Sequence, residues 1–208
     1  MAQFDLFNQG ENLIMGAKTY GEFRENLKNS NCQKCRLCEK RSNIVVDRGN
    51  PQSKILVIGE GPGEQEDQQG KAFVGRAGQL LDDIMKSIDL DTNRDMLIAN
   101  IVKCRPPENR APLKDEVDTC IPYLIKQVEL VKPKIIILLG ATALKHMVKD
   151  KKNFSMEEEA GKFFQIGEYP DIKFMVLYHP AYLLYDPRKK KDMWEHVKGL
   201  KAILSTII

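Results

Sequence analysis

A chain of 208 residues, 42% hydrophobic with a net charge of +3, can form one domain with a sizeable core and is too weakly basic for charge alone to name its partner. No apolar run approaches the roughly 20 residues of a membrane helix, which excludes a spanning protein of that kind. The start, Met1-Ala2-Gln3-Phe4-Asp5, lacks the charged and apolar stretches of a secretory signal, so a cytoplasmic location and no membrane partner are expected.

In chain order, Gln3-Phe4-Asp5-Leu6-Phe7 hints at a short peptide for docking on a partner such as a sliding clamp, although it lacks the aromatic pair such peptides carry. The five cysteines come next: Cys32, Cys35 and Cys38 close together, then Cys104 and Cys120 far downstream. A close pair joined to two distant single cysteines is how a four-thiolate site clamps two parts of one domain. Thiolates are soft, charged ligands for zinc and for iron–sulfur centres, and the spacing leaves both open. Disulfides are disfavoured, since nothing marks the chain as secreted and a core of this size needs no staples.

Four short apolar runs read as buried strands: Ile55-Leu56-Val57-Ile58, Leu97-Ile98-Ala99, Ile135-Ile136-Ile137-Leu138-Leu139 and Phe174-Met175-Val176-Leu177. Their continuous apolar character, without alternation, suggests strands covered on both faces, as in a parallel sheet. Between them, helical periodicity places Leu80, Leu81, Ile84 and Ile88 on one face, then Val117, Ile121, Leu124 and Val128 on another, and later Met193, Val197, Leu200, Leu204 and Ile207. The alternation predicts an α/β protein: a three-layer α/β/α sandwich around a mainly parallel four-stranded sheet, as one domain over residues 1–208. Residues 105–113, with Pro106, Pro107 and Pro112, read as a loop, and residues 150–170 as a loop followed by a hairpin. Two basic runs, Lys149-Asp150-Lys151-Lys152 and Arg188-Lys189-Lys190-Lys191, are ordinary solvated surface or phosphate contacts.

In open α/β sheets, ligands bind beyond the carboxyl ends of the strands. The predicted ends here are Gly59-Glu60-Gly61-Pro62-Gly63, Asn100-Ile101-Val102-Lys103-Cys104, Gly140-Ala141-Thr142 and Tyr178-His179-Pro180-Ala181-Tyr182, which should converge on one pocket. Glycine-rich turns after a first strand often bind phosphate, but Glu60 inside the turn would repel it, and the spacing is not the dinucleotide fingerprint. A neutral, planar ligand fits better. Asn100 either caps a turn or reads a planar base with its adjacent donor and acceptor. His179, held extended by Pro180, is a structural histidine or part of the site. His146 and His196 fall within helices and read as surface or packing residues. Phe73, between Gly70 and Gly75, is core or a stacking platform.

Taken together, Cys32-x-x-Cys35-x-Leu37-x-x-x-Arg41, Gly59-Glu60-Gly61-Pro62-Gly63, Phe73-Val74-Gly75, Asn100-Ile101-Val102-Lys103-Cys104-Arg105-Pro106-Pro107, Cys120 and His179-Pro180-Ala181-Tyr182-Leu183-Leu184 resemble a family 4 uracil-DNA glycosylase, the iron–sulfur type of bacteria and archaea. Any one motif is weak; the ordered set, covering residues 32 to about 187, is specific. The resemblance implies a 4Fe–4S cluster held by Cys32, Cys35, Cys104 and Cys120, with a structural role, and leaves Cys38 surplus although near enough for a ligand swap. It implies a monomeric DNA-repair enzyme that takes uracil-containing DNA, single- or double-stranded, and hydrolyses the N-glycosidic bond of a flipped deoxyuridine. In that reading Gly59, Glu60 and Gly61 line the pocket, Phe73 stacks on uracil, and Asn100 pairs with its N3–H and O4 edge. His179 hydrogen-bonds O2, and Glu60 supports the sugar cation or a water. Glu66 excludes the thymine methyl, and Leu183 is the wedge that fills the vacated stack. A related branch traps the abasic sugar through a histidine in an inserted basic loop; Gln65-Glu66-Asp67-Gln68-Gln69-Gly70 runs straight into Lys71 with no such insertion, so a turning-over hydrolase is expected. Two rival classes are a non-catalytic iron–sulfur protein and a zinc-stabilised nucleotide-binding domain. The first leaves Glu60, Asn100 and His179 idle; the second predicts a colourless protein that binds a free nucleotide.

Overall fold

A computed structural model of the chain describes residues 10–149, 151 and 153–207. The Gln3–Phe7 segment lies outside the described residues, as do Asp150 and Lys152 of the first basic run. A helical segment at residues 10–15 (α1) leads to α2, Tyr20–Asn29. Thr19 caps α2: its hydroxyl accepts from the Glu22 N–H while the Glu22 carboxylate accepts from the Thr19 N–H, which satisfies two otherwise orphaned donors.

All four predicted strands are present, as β2 (Ile55–Gly59), β3 (Met96–Asn100), β4 (Ile135–Leu139) and the end of β6 (Tyr169–Leu177). They form a parallel core, but the sheet has six strands and is mixed, in the order β1-β3-β2-β4-β6-β5. The expected four-stranded sheet is corrected on this point. The extra strands are both antiparallel edges. One is β1, only Arg48–Gly49, too short and polar to carry a pattern. The other is β5, Phe163–Ile166, which pairs with β6 through the turn at Gly167 and Glu168 and is the expected hairpin. The second hairpin arm and the last predicted strand are one continuous β6.

The continuous apolar runs are explained by burial on two faces. Leu56 and Ile58 join Phe23, Leu27, Val117, Leu124 and Val128 on the side of α2 and α5 (Lys114–Val131). Ile55 and Val57 join Leu81, Met85, Met193, Val197 and Leu200 on the side of α4 (Arg76–Lys86) and α9 (Lys190–Ile207). Each fully buried aliphatic chain contributes about 1.5–3 kcal/mol, so these two cores are what hold the three layers together. Among the described residues no helix is long and apolar enough to cross a membrane.

The chain leaves β2 for β3 on one side and places β4 on the other. The carboxyl end of β2 is therefore a topological switch point, where open α/β sheets form their ligand crevice.

Candidate active site

A cavity of about 570 Å³ opens at that switch point, lined by Glu60, Gly61, Glu66, Phe73, Asn100, Thr142 and His179 among others. The volume lies within the roughly 300–1,000 Å³ of small-molecule pockets. The four predicted strand ends do converge.

Asn100 is the last residue of β3, paired in register with Gly59 at the end of β2. Its side chain is 1% exposed, yet neither Oδ1 nor Nδ2 has a hydrogen-bond partner within the protein. Leaving a buried polar atom unpaired costs about 1–3 kcal/mol, so a donor and an acceptor kept orphaned side by side mark a place for a ligand. The cap reading of Asn100 does not hold. Gly59 packs so closely under this group that a Cβ would fall 2.5 Å from the Phe73 ring and 2.6 Å from Asn100 Oδ1. Here glycine is required by close approach, since its φ is not left-handed. Gly59 forms the support beneath the cavity, while Gly61 lines it against Val102.

Phe73 belongs to the core and also lines the cavity: it is 5% exposed, with its ring tilted against that of His179 at 5.6 Å between centroids. Its φ of 54° is left-handed, a strained conformation for an aromatic residue that only its surroundings can hold. Glu66, from α3 (Glu64–Gln69), is one of the holders. Its Oε1 accepts from the N–H groups of Val74 (2.8 Å) and Gly75 (2.7 Å), pinning the loop after Phe73 and the start of α4.

His179 precedes α8 (Pro180–Tyr185), and its Nδ1 accepts the Ala181 N–H at 3.2 Å. In the neutral ring the proton therefore sits on Nε2. Burial pushes the His179 pKa down to about 4, against the opposing charge of Glu66. Gly140, at φ 82°, opens α6 (Gly140–Met147) at a point where a Cβ would fall 3.0 Å from the His179 Cβ. Thr142, which the sequence did not single out, donates its hydroxyl to Glu60 Oε2 and fixes that carboxylate. Its only signal was its place just past the end of β4.

Leu183 does not reach this cavity. It is 0% exposed and packs in the core between α8, α4 and α9. Using it as a wedge would expose about 1.5–3 kcal/mol of burial and leave a cavity behind. Its burial in the free chain speaks against the wedge role, whereas Leu184, 37% exposed, lines the cavity with Tyr182. The basic run that follows is only partly free. Arg188 pairs with Asp186 at 2.8 Å, and Lys189 pairs with Glu157 at 2.7 Å. His196 stacks on Tyr178 at 5.9 Å and is a packing residue. His146 lies near the end of α6, its pKa lowered by burial and Lys145.

Away from this cavity, Cys32, Cys35, Cys104 and Cys120 line one small cavity with Leu27, Ile44 and Tyr123, and Cys38 does not. Cys38 instead sits in the single turn Arg36–Glu39. The Lys103 N–H donates to Cys120 Sγ at 3.3 Å and Arg41 to Cys104 Sγ at 3.4 Å. Burial pushes the Cys104 thiol up to about 12 and that of Cys120 up to about 11, and it raises Cys35 too. Such thiols ionise only against a bound cation. The donor set, its hydrogen bonds and its apolar surround thus fit a thiolate-held metal centre. Among the described residues, no three Cys, His, Asp or Glu side chains are close enough together to hold a single metal ion.

Comparison with known proteins agrees with this geometry. The family model of the uracil DNA glycosylase superfamily matches residues 46–200. A type-4 uracil-DNA glycosylase of Saccharolobus solfataricus is 43% identical over 180 residues, covering 84% of this chain and 82% of that protein. One of Sulfurisphaera tokodaii is 41% identical over 180 residues, covering 84% and 81%. One of Thermotoga maritima is 40% identical over 153 residues, covering 74% and 78%. A cavity with an unpaired amide, a buried histidine and an aromatic ring, on a chain this similar over this length, has one reading: the chain belongs to the type-4 uracil-DNA glycosylases of that superfamily.

Proposed function

We propose that this chain acts as one glycosylase domain that flips deoxyuridine out of DNA and hydrolyses the bond between uracil N1 and the sugar C1′. The observation that carries this reading is the buried Asn100 amide with both polar atoms unpaired. Nδ2 would donate to uracil O4 and Oδ1 would accept from N3–H, with the ring stacked on Phe73. Cytosine presents the reverse pattern at both atoms and would leave the amide mismatched.

The electron pair of the breaking bond stays with the base, so negative charge grows on uracil O2. The Nε2–H of a neutral His179 would donate there, and its depressed pKa keeps it neutral through the physiological range. A fixed donor aimed at developing charge is worth about 3–4 kcal/mol. Glu60, oriented by Thr142, would balance the cationic sugar and steer the water that adds to C1′. Glu66, already pinned to the Phe73 loop, would stand where a thymine methyl would have to go. Leu184 would enter the vacated stack, with Tyr182 beside it. Free cations such as Lys190 and Lys191 would contact phosphate. The enzyme is read as a monomer that turns over; a sliding-clamp contact would rest on the Gln3–Phe7 segment.

Cys32, Cys35, Cys104 and Cys120 would hold a 4Fe–4S cluster, whose contribution is to tie the segment before β1 to the end of β3 and to α5. Tetrahedral zinc gathers its sulfurs to within about 4 Å of one another, whereas a four-iron cube takes one thiolate at each of four separated corners.

Release of free uracil from an oligonucleotide with one deoxyuridine tests the function. Asn100→Asp removes the donor to O4 and sets a negative charge beside it, so uracil excision should fall by roughly 1,000-fold, with at best weak cytosine excision in exchange. Near-normal uracil excision by this variant would remove Asn100 from base recognition.

The His179 pKa also sets a pH dependence. A histidine depressed from 6.5 to about 4 binds its proton in the unfolded chain first. Its contribution to stability is therefore complete above pH 6.5 and is lost as pH falls toward 4. Single-turnover excision should show no inflection from this residue near pH 6.5. An inflection there that disappears in His179→Ala would mean that the ring titrates as an exposed one.

A further inference from the structure

Lys103 is a buried charge that the reaction above does not use. It is 1% exposed, and a buried ammonium is tolerated only when its donors are engaged. Its Nζ donates to the backbone carbonyl of Asn100 at 2.8 Å and to the side-chain oxygen of Gln127. Gln127 Nε2 donates onward to the Tyr20 hydroxyl (2.7 Å) and to the Val46 carbonyl (3.3 Å). The Tyr20 hydroxyl donates to Asp47 Oδ2 at 2.7 Å, and Arg24 closes the chain on the same carboxylate. Two backbone bonds complete the frame. The Val45 N–H donates to the Lys103 carbonyl at 2.8 Å, and the Ala72 N–H, next to Phe73, donates to the Asp47 carbonyl at 3.3 Å.

The frame therefore runs from Asn100 to the loop of Phe73. Both ends need support. The Asn100 amide has no hydrogen-bond partner of its own in the protein, so its direction rests on where its backbone is held and on the close packing of Gly59 beneath it. Phe73 holds a left-handed φ that its surroundings must impose. We infer that Lys103 is a positioning residue of the uracil site: it clamps the Asn100 backbone and, through Gln127, Tyr20 and Asp47, fixes the spacing between the Asn100 amide and the Phe73 ring. The inference rests on the reading of Asn100 as the group that pairs with uracil.

Lys103→Met keeps the length and removes the donors. Because Lys103 adjoins Cys104, iron content is measured in parallel. The expected result is unchanged iron, unchanged affinity for uracil-free DNA, and inhibition by free uracil weakened by roughly 10-fold, with a similar fall in single-turnover excision. In an Asn100→Ala background, the same change should weaken uracil inhibition by less than about 2-fold further, since coupled residues are not additive. A merely structural lysine would lower the melting temperature, leave uracil inhibition intact and act independently of Asn100; that result overturns the inference. If Lys103→Met loses iron, Tyr20→Phe decides. It removes only a hydroxyl away from the cysteines and should weaken uracil inhibition by about 3-fold with iron retained. Unchanged inhibition in that variant also overturns the inference. Should Asn100→Ala itself leave uracil inhibition unchanged, the reading of Asn100 fails, an outcome distinct from failure of Lys103 alone.

Discussion

Replacing His179 by alanine is expected to slow excision of uracil by roughly 100-fold or more while affinity for uracil-containing DNA stays within a few-fold. The split follows from when the hydrogen bond matters. In the bound substrate, uracil O2 is a neutral carbonyl and an Nε2–H bond to it would be ordinary. As the N-glycosidic bond breaks, O2 gains negative charge and the same bond would strengthen, so it would lower the barrier more than it tightens binding. The geometry suits that role. The Ala181 N–H occupies Nδ1 and leaves the proton on Nε2, and burial keeps the ring neutral so that no positive charge must be maintained in an apolar cavity. The measurement is single-turnover cleavage of an oligonucleotide with one deoxyuridine, beside a binding titration. Near-wild-type cleavage by His179→Ala would remove it from the catalytic residues and leave the stabilisation of the departing base to another donor.

Replacing Cys104 by alanine is expected to abolish the cluster and lower stability by about 5 kcal/mol or more, because metal-binding free energy in such sites is folding free energy. At about 2–4 °C per kcal/mol for a chain of this size, the melting temperature should drop by at least about 10 °C. Cys104 lies just beyond β3 and shares its cavity with Cys32 and Cys35, so its loss frees the segment that precedes β1. Cys38→Ala should keep both cluster and stability, since Cys38 does not line that cavity. The wild-type protein should be yellow-brown with about four irons and four sulfides per chain. Elemental analysis that finds one zinc and no iron would overturn the cluster, as would a Cys104→Ala protein with full iron content.

The parallel core and the place of its ligand crevice were legible in the chain. Strands buried on both faces need runs such as Ile135–Leu139, and a parallel order fixes the useful end of each strand, so Gly59, Asn100 and His179 could be gathered from their positions in the sequence. It also marked all five cysteines, because an unusual residue type is visible wherever it falls; the choice of Cys32, Cys35, Cys104 and Cys120 over Cys38 came from the resemblance to the family. What it did not carry were properties fixed by neighbours distant in the chain. The edge strand Arg48–Gly49 is defined by pairing with β3, with no pattern of its own. Leu183 and Leu184 are adjacent and chemically alike. Only the packing of α8 against α4 and α9 buries the first and turns the second to the cavity mouth. The charge of Lys189 was engaged the same way, by Glu157 on α7 (Met156–Glu159). The frame from Asn100 through Lys103, Gln127 and Tyr20 to Asp47 joins residues up to 107 positions apart. Composition can require that buried donors find partners, but which partners they find is decided only when the layers close around them.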